Sequence, residues 1–435
     1  MDDWLFALYG LPLLAIAAIY IRRRRRVHTR FVAIQEEAVS AGMTEPASLH
    51  PFIDPSLCLG CGACVKACPE TSHHDVLGLI DGKAVLIGPS ECIGHGACKT
   101  ACPFNAITLV FGTERRGLDI PVLKPNFESN VPGIYVAGEL GGMGLIKNAL
   151  TQGQQALEAI AKAGVRRPGA LDVLIIGAGP AGLAASLAAK KLGLNYQTVE
   201  QDSLGGAVFQ YPRGKLVMTA PVELPIVGKV QFRNTSKEEL LKFWEQACKG
   251  NGLKILYQER VEAIENKDGV FHVKTNSRQH VASAILLGIG RRGTPRKLGV
   301  PGEALPKVVY RLIDPEQYRG QKVIVVGGGD SALEAAASIA ELGDTAVILS
   351  YRGEAFQRAK QRNRRRVEEA SAKGRLRVLL NSQVREIRPD AVLLKQSGRD
   401  LQVSNDAVIV SAGGILPNDF LRSIGIEVET KYGTA

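Results

Sequence analysis

Seven of the eight cysteines fall between positions 58 and 102, in two runs built on one spacing. The first reads Cys58-Leu-Gly-Cys61-Gly-Ala-Cys64-Val-Lys-Ala-Cys68-Pro69 and the second Cys92-Ile-Gly-His95-Gly-Ala-Cys98-Lys-Thr-Ala-Cys102-Pro103. Three thiolates at three-residue intervals can wrap one iron–sulfur cube, while a fourth, followed by proline, points to a different cube. The first run is complete, and the second keeps the spacing with a histidine in place of one thiolate. Zinc ribbons are built instead from two separated Cys-x-x-Cys pairs. Disulfides belong to oxidising compartments, whereas the charge pattern near the start of the chain places these thiols on the cytoplasmic side.

On these motifs, residues 51–111 resemble a bacterial two-cluster ferredoxin domain. The resemblance implies one [4Fe-4S] cluster on Cys58, Cys61, Cys64 and Cys102, and a second site surrounded by Cys68, Cys92, His95 and Cys98. Three outcomes stay open for the second site: a four-iron cluster ligated by His95, a [3Fe-4S] cluster with His95 unbound, or no cluster. A neutral imidazole in place of a thiolate makes a cluster less negative, so a His95-ligated cluster is expected to be easier to reduce than its neighbour. Between the runs, residues 76–87 alternate short apolar segments around Asp81-Gly82, a hairpin signal. His73 and His74 read as exposed loop residues rather than ligands.

Further along, Asp172-Val-Leu-Ile-Ile-Gly177-Ala-Gly179-Pro180-Ala181-Gly182 is a buried strand turning into a helix, and Tyr196-Gln-Thr-Val-Glu200 is a second strand ending in an acid. Strand, glycines, helix and the acid about twenty residues on form a dinucleotide fingerprint, with the pyrophosphate at the helix N-terminus and Glu200 on the ribose. A second fingerprint reads Lys322-Val-Ile-Val-Val-Gly327-Gly-Gly329-Asp330-Ser331. Two such modules imply two nucleotides. Together with their flanking strand-glycine segments they resemble the thioredoxin-reductase-like flavoproteins across residues 171–435. The resemblance implies an α/β fold of two Rossmann-like domains, FAD at the first fingerprint and a nicotinamide cofactor at the second.

Three features refine that likeness. Asn130-Val-Pro-Gly-Ile-Tyr-Val-Ala-Gly138-Glu139, followed by a helix over 145–163, resembles the last strand and helix of the family, where the acid meets the ribityl chain of FAD; here it precedes the flavin domain, so a circular permutation is expected. No Cys-x-x-Cys lies in the second module, which excludes a dithiol relay, and Cys248, the sole thiol outside the paired runs, reads as structural. The strand over 346–350 ends in Tyr351-Arg352 with no acid, so Arg352, assisted by Arg358, is expected to hold a 2′-phosphate and favour NADP over NAD.

The elements that carry these motifs must fit 435 residues, too many for one core. Uncharged residues 4–21 precede five consecutive arginines at 22–26. Eighteen residues at ~1.5 Å rise give about 27 Å, close to a bilayer core, and the positive-inside rule puts the arginines and the rest of the chain in the cytoplasm. The expected organisation is an N-terminal transmembrane helix with its basic stop (1–26), a tether (27–50), the two-cluster ferredoxin domain (51–111), a permuted flavin-binding segment (112–168), the FAD-binding domain (169–295), the NAD(P)-binding domain (296–415) and a return to the FAD domain (416–435). The net charge of +11 lacks the aromatic interleaving of a nucleic-acid surface and fits a membrane or an acidic partner.

A nicotinamide gives two electrons as hydride and a cluster takes one, so FAD is the converter between them. The sequence therefore reads as a single-pass protein of the inner, cytoplasmic membrane moving electrons between NAD(P)H, FAD, clusters and a redox partner, either a protein such as a ferredoxin or a membrane quinone. No catalytic acid or base is required. A homodimer fits. Two other readings are a flavin disulfide reductase of bacillithiol type and, without enzymatic activity, an iron–sulfur redox sensor.

Overall fold

The computed structural model describes the whole chain except residues 1–2, 41–45, 47–48, 73–74, 93, 114–116, 143, 215, 219–221, 231–233, 292, 357–358 and 434–435. Arg358, His73 and His74 therefore lie outside the described residues. The chain forms two compact units, residues 1–114 with 433–435, and residues 115–432.

In the smaller unit, two short strands, His50–Ile53 and Ile107–Val110, pair antiparallel at the ends of the cysteine-bearing segment. A hairpin of Leu77–Ile80 and Lys83–Leu86 lies between the runs. Its turn residues Asp81 and Gly82 both adopt positive φ, the geometry that lets a two-residue turn match the strand twist. Each cysteine run winds through a loop into a five-residue helix, Ala63–Ala67 and Ala97–Ala101.

One long helix, Asp3–Ser40, precedes them. The expected stop at residue 21 and the tether after it are not observed. Arginine, alanine and glutamate sustain a helix as well as the apolar residues before them do, so the helix runs through the arginines. Its second half is anchored: Phe31 and Ala38 are buried, Phe31 lies against Gly78 of the hairpin, and Arg30 pairs with Asp75. In the first half, Leu11, Leu13, Leu14, Ile16, Ile19 and Tyr20 stand exposed. Among the described residues no helix is long and apolar enough to cross a membrane, so the expected transmembrane helix is without structural support.

The larger unit contains two parallel five-stranded sheets of the same design. The first has the order Ile255–Leu256, Tyr196–Val199, Val173–Ile176, Ile285–Leu287, Ile134–Val136. Strands buried on both faces read as continuous aliphatic runs, as Val173–Ile176 does. The second has the order Leu376–Leu379, Ala346–Ser350, Lys322–Val326, Ala407–Val410, Val308–Val309. Each is accompanied by a three-stranded antiparallel sheet, and a two-residue pairing of Thr294–Pro295 with Gly414–Ile415 joins the modules.

Ile134–Val136 comes before Val173–Ile176 in the chain yet closes the first sheet on the far side of Ile285–Leu287. The helix after it, Ile146–Ala163, packs so closely on Pro180–Lys191 that a Cβ on Gly153 would stand 2.0 Å from the Ala181 carbonyl oxygen. This strand and helix thus complete the first module from the wrong end of the chain. Val428–Lys431 pairs antiparallel with Leu118–Pro121, Lys431 opposite Leu118. Leu421 and Ile426 return to the core of the first module beside Ile134 and Val136.

Candidate redox and nucleotide sites

The two cysteine runs cross over. One cavity is lined by Cys58, Cys61, Cys64 and Cys102, the other by Cys68, Cys92, His95 and Cys98. The loops that shape them share one backbone. Gly60 and Gly62 flank Cys61 with φ of 66° and 75°, and Gly94 and Gly96 flank His95 with φ of 73° and 81°. His95 therefore sits in the backbone slot that Cys61 fills in the first run. Larger residues could not replace Gly60 or Gly94, since a Cβ on Gly60 would stand 2.0 Å from the Gly82 carbonyl oxygen and one on Gly94 2.5 Å from that of Leu49.

Backbone amides turn toward the sulfurs. Ala84 N–H donates to Cys58 Sγ at 3.3 Å. Burial raises the thiols, Cys64 and Cys92 each to about 11, while the amides of Val65 and Gly94 offset part of that. Among the described residues no group of three or more His, Cys, Asp or Glu side chains is placed to hold a single metal ion. His95 Nδ1 accepts the Ala97 N–H at 3.2 Å, fixing the ring plane.

In the first nucleotide module, a Cβ on Gly177 would lie 2.5 Å from the Gly288 carbonyl oxygen and one on Gly182 1.8 Å from that of Gly177. Gly179 caps the helix Pro180–Lys191, placing Pro180 and Ala181 in its first turn. Glu200 is buried, and its carboxylate accepts Ala178 N–H at 2.7 Å and Asp202 N–H at 2.9 Å. Burial raises its pKa, and these amides oppose the rise. Glu200 thus ties the strand end to the glycine turn. Gly138 N–H donates to Gln152 Oε1 at 2.9 Å, and Glu139 begins the short 3-10 turn Glu139–Gly141. Sequence reasoning missed Gly205 and Gly206, which face the turn: Gly205 N–H donates to Ala178 O at 2.9 Å, and a Cβ on Gly206 would meet Gly179 Cα at 3.2 Å. The adjacent glycines a few residues past Glu200 were the available signal.

In the second module, Gly327 N–H donates to Ser350 O at 2.9 Å and Gly329 caps the helix Asp330–Ala340. Asp330, expected on the cofactor, turns to the loop after Ala346–Ser350: its Oδ1 accepts Lys360 N–H at 2.8 Å and Asn363 Nδ2–H at 2.7 Å. Ser331 and Arg352 are exposed. Tyr351 lies between Gly328 and Gly353 and stacks on Phe356 with ring centroids 5.6 Å apart. Cys248 is buried in another part of the unit, its thiol pushed up to about 11 by burial, first of all.

Residues 50–103 match the 4Fe-4S dicluster domain, and residues 174–434 match the pyridine nucleotide-disulphide oxidoreductase family. The chain is 29% identical over 268 residues to a ferredoxin–NADP reductase of Ignicoccus hospitalis, covering 60% of this chain and 83% of that one. It is 31% identical over 272 residues to a ferredoxin–NADP reductase of Thermus thermophilus, covering 59% and 77%. Among solved structures it is similar to the bacillithiol disulfide reductase Bdr of Bacillus cereus, with a TM-score of 0.53 and 25% identity, covering 59% and 82%. A likeness spanning most of those relatives, on two nucleotide turns of the same build, makes the chain an FAD/NAD(P) oxidoreductase with a 4Fe-4S domain. It belongs to the pyridine nucleotide-disulphide oxidoreductase family.

Proposed function

We propose that this enzyme moves electrons between NADPH and a redox partner by way of FAD and two iron–sulfur clusters. The observation that carries the reading is the presence, in one chain, of two glycine turns for dinucleotides and two cavities each ringed by four potential cluster ligands. Bound flavin supplies the change from hydride transfer to single-electron transfer. The chain's part is to hold the groups: Gly177, Gly179 and the first turn of Pro180–Lys191 receive a pyrophosphate, and Gly327 and Gly329 do the same in the second module. The presence of the dicluster domain favours a one-electron exit over disulfide reduction. Anaerobic addition of NADPH should bleach the flavin and reduce the clusters together. Bleaching with clusters left oxidised would defeat the proposal and favour the disulfide reductase.

Arg352, exposed at the end of Ala346–Ser350 with no acid beside it, is assigned to the 2′-phosphate. A charge-assisted hydrogen bond contributes about 1.5–3 kcal/mol, so Arg352→Ala should lower kcat/KM for NADPH by about 10- to 100-fold. The NADH value should hold. Equal efficiency with both nucleotides in the unaltered enzyme would refute the assignment.

The same proposal places the protein at the cytoplasmic membrane, its catalytic units inside, through the exposed apolar half of Asp3–Ser40. Arginines cost about 2.5–3.5 kcal/mol each at a bilayer centre, so residues 22–26 bound any insertion. Deleting residues 1–26 should move the protein to the soluble fraction while leaving Phe31 and Ala38 docked and the iron content unchanged. Full-length protein that washes off membranes in carbonate would sink this assignment.

A further inference from the structure

The two cluster cavities differ in one respect that the ligand motifs do not reveal. The first, apart from its four cysteines, is lined by apolar groups such as Ile53, Leu59, Phe104 and Ile107 and, among the described residues, by no charged side chain. The second is lined by three cysteines, His95 and the carboxylate-bearing Glu70. Glu70 stands two residues beyond Cys68, in the 3-10 turn Pro69–Ser72, and is half-buried. Glu70 lines the same cavity as Cys68 and Cys92, which lie on opposite cysteine runs.

Counting charge around each site makes the difference instructive. Four thiolates face the first cavity. Three thiolates and a neutral imidazole face the second, one negative charge fewer; among the described residues lining the two cavities Glu70 carries the one carboxylate, while the Lys83 ammonium donates to the Cys58 carbonyl oxygen at 2.7 Å on the side of the first. A nearby negative charge disfavours adding an electron, and more strongly in a partly buried site than in water. We propose that Glu70 is the charge-balancing residue of the second cluster, returning beside the cavity the negative charge that His95 removes from its ligand set. The second cluster is then lower in potential than a histidine ligand alone would make it.

This inference rests on the reading that the second cavity holds a cluster, and its test keeps the two apart. The full-length protein is titrated anaerobically through its reduction potentials with the clusters followed by EPR, alongside iron and sulfide analysis. Glu70→Gln should raise the potential of the second cluster, leaving its iron count and the first cluster's potential unchanged. His95→Cys should lower it, and the double variant, with the charge restored, should return close to the starting value. A Glu70→Gln protein with an unmoved second cluster, with both clusters shifted equally, or with iron lost from the second site would overturn the assignment, the last by making Glu70 a ligand. Unaltered protein with iron for one cluster only would instead overturn the two-cluster reading itself, and the role of Glu70 with it.

Discussion

Gly182→Ala should yield a protein that has lost its flavin yet keeps its iron. A Cβ at this position would stand 1.8 Å from the carbonyl oxygen of Gly177 and 2.8 Å from its carbonyl carbon, and both belong to backbone rather than to a side chain that could rotate away. Gly177 cannot retreat, because it is itself pressed on the Gly288 carbonyl and its N–H donates to Val199 O at 2.8 Å. The helix Pro180–Lys191 must therefore move off the strand that precedes it, carrying its N-terminal amides away from the pyrophosphate. Overpacking of this kind typically costs about 1–3 kcal/mol even where side chains can adjust. Here the displaced group is also the anion-binding one, so FAD affinity should fall by at least about 100-fold, equivalent to about 2.7 kcal/mol. The measurement is the ratio of flavin to protein absorbance, with iron analysis on the same sample. Residues 1–114 form a separate compact unit, so the clusters should remain, reducible by dithionite but no longer by NADPH. A Gly182→Ala protein with full flavin content, or one whose clusters NADPH still reduces, would break the proposed route.

Short-range spacing is what the sequence discloses. The cysteine runs, the Asp81-Gly82 turn and both glycine turns are local patterns whose geometry depends on a few neighbouring residues. The partition of ligands between two cavities comes from family resemblance, since nothing local says that Cys102 lies across from Cys58 rather than beside Cys98. Features that depend on residues far apart in the chain stay hidden. Asp330 reads as a cofactor residue because it comes directly after Gly329, but its carboxylate is taken by Lys360 and Asn363, about thirty positions on. The long helix reads as a membrane segment and a tether because the composition changes at residue 22. Helix propensity does not change there, and the docking of Phe31 on the hairpin has no periodic signal strong enough to announce it. Glu200 is legible as an acid at a strand end, whereas the two amides it accepts are found only in three dimensions.

His95→Ala should convert the second site to a three-iron cluster or empty it, leaving the first site intact. The case for ligation is positional: the glycines on either side of His95 reproduce the backbone of the Cys61 loop, and the ring lines a cavity with three thiols. The imidazole nevertheless binds on terms that a thiolate does not. A sulfur can accept an amide N–H while it holds iron, as Cys58 accepts Ala84 N–H. A neutral imidazole has one free lone pair, and in this structure Nδ1 directs it at Ala97 N–H. For Nε2 to bind iron the proton must reside on Nδ1, and that nitrogen then has to exchange the Ala97 amide for an acceptor. One hydrogen bond worth about 0.5–1.5 kcal/mol is thereby given up for a metal bond, a reorganisation that the all-cysteine site avoids. The second cluster should consequently be the more labile of the two and lose its fourth iron first under mild oxidation. EPR of the reduced and oxidised protein, with iron and sulfide counts, reads each state. If His95→Ala retains the full iron content of the unaltered protein and an unchanged second-cluster signal, His95 is not a ligand, and the fourth iron is held by another group in that cavity.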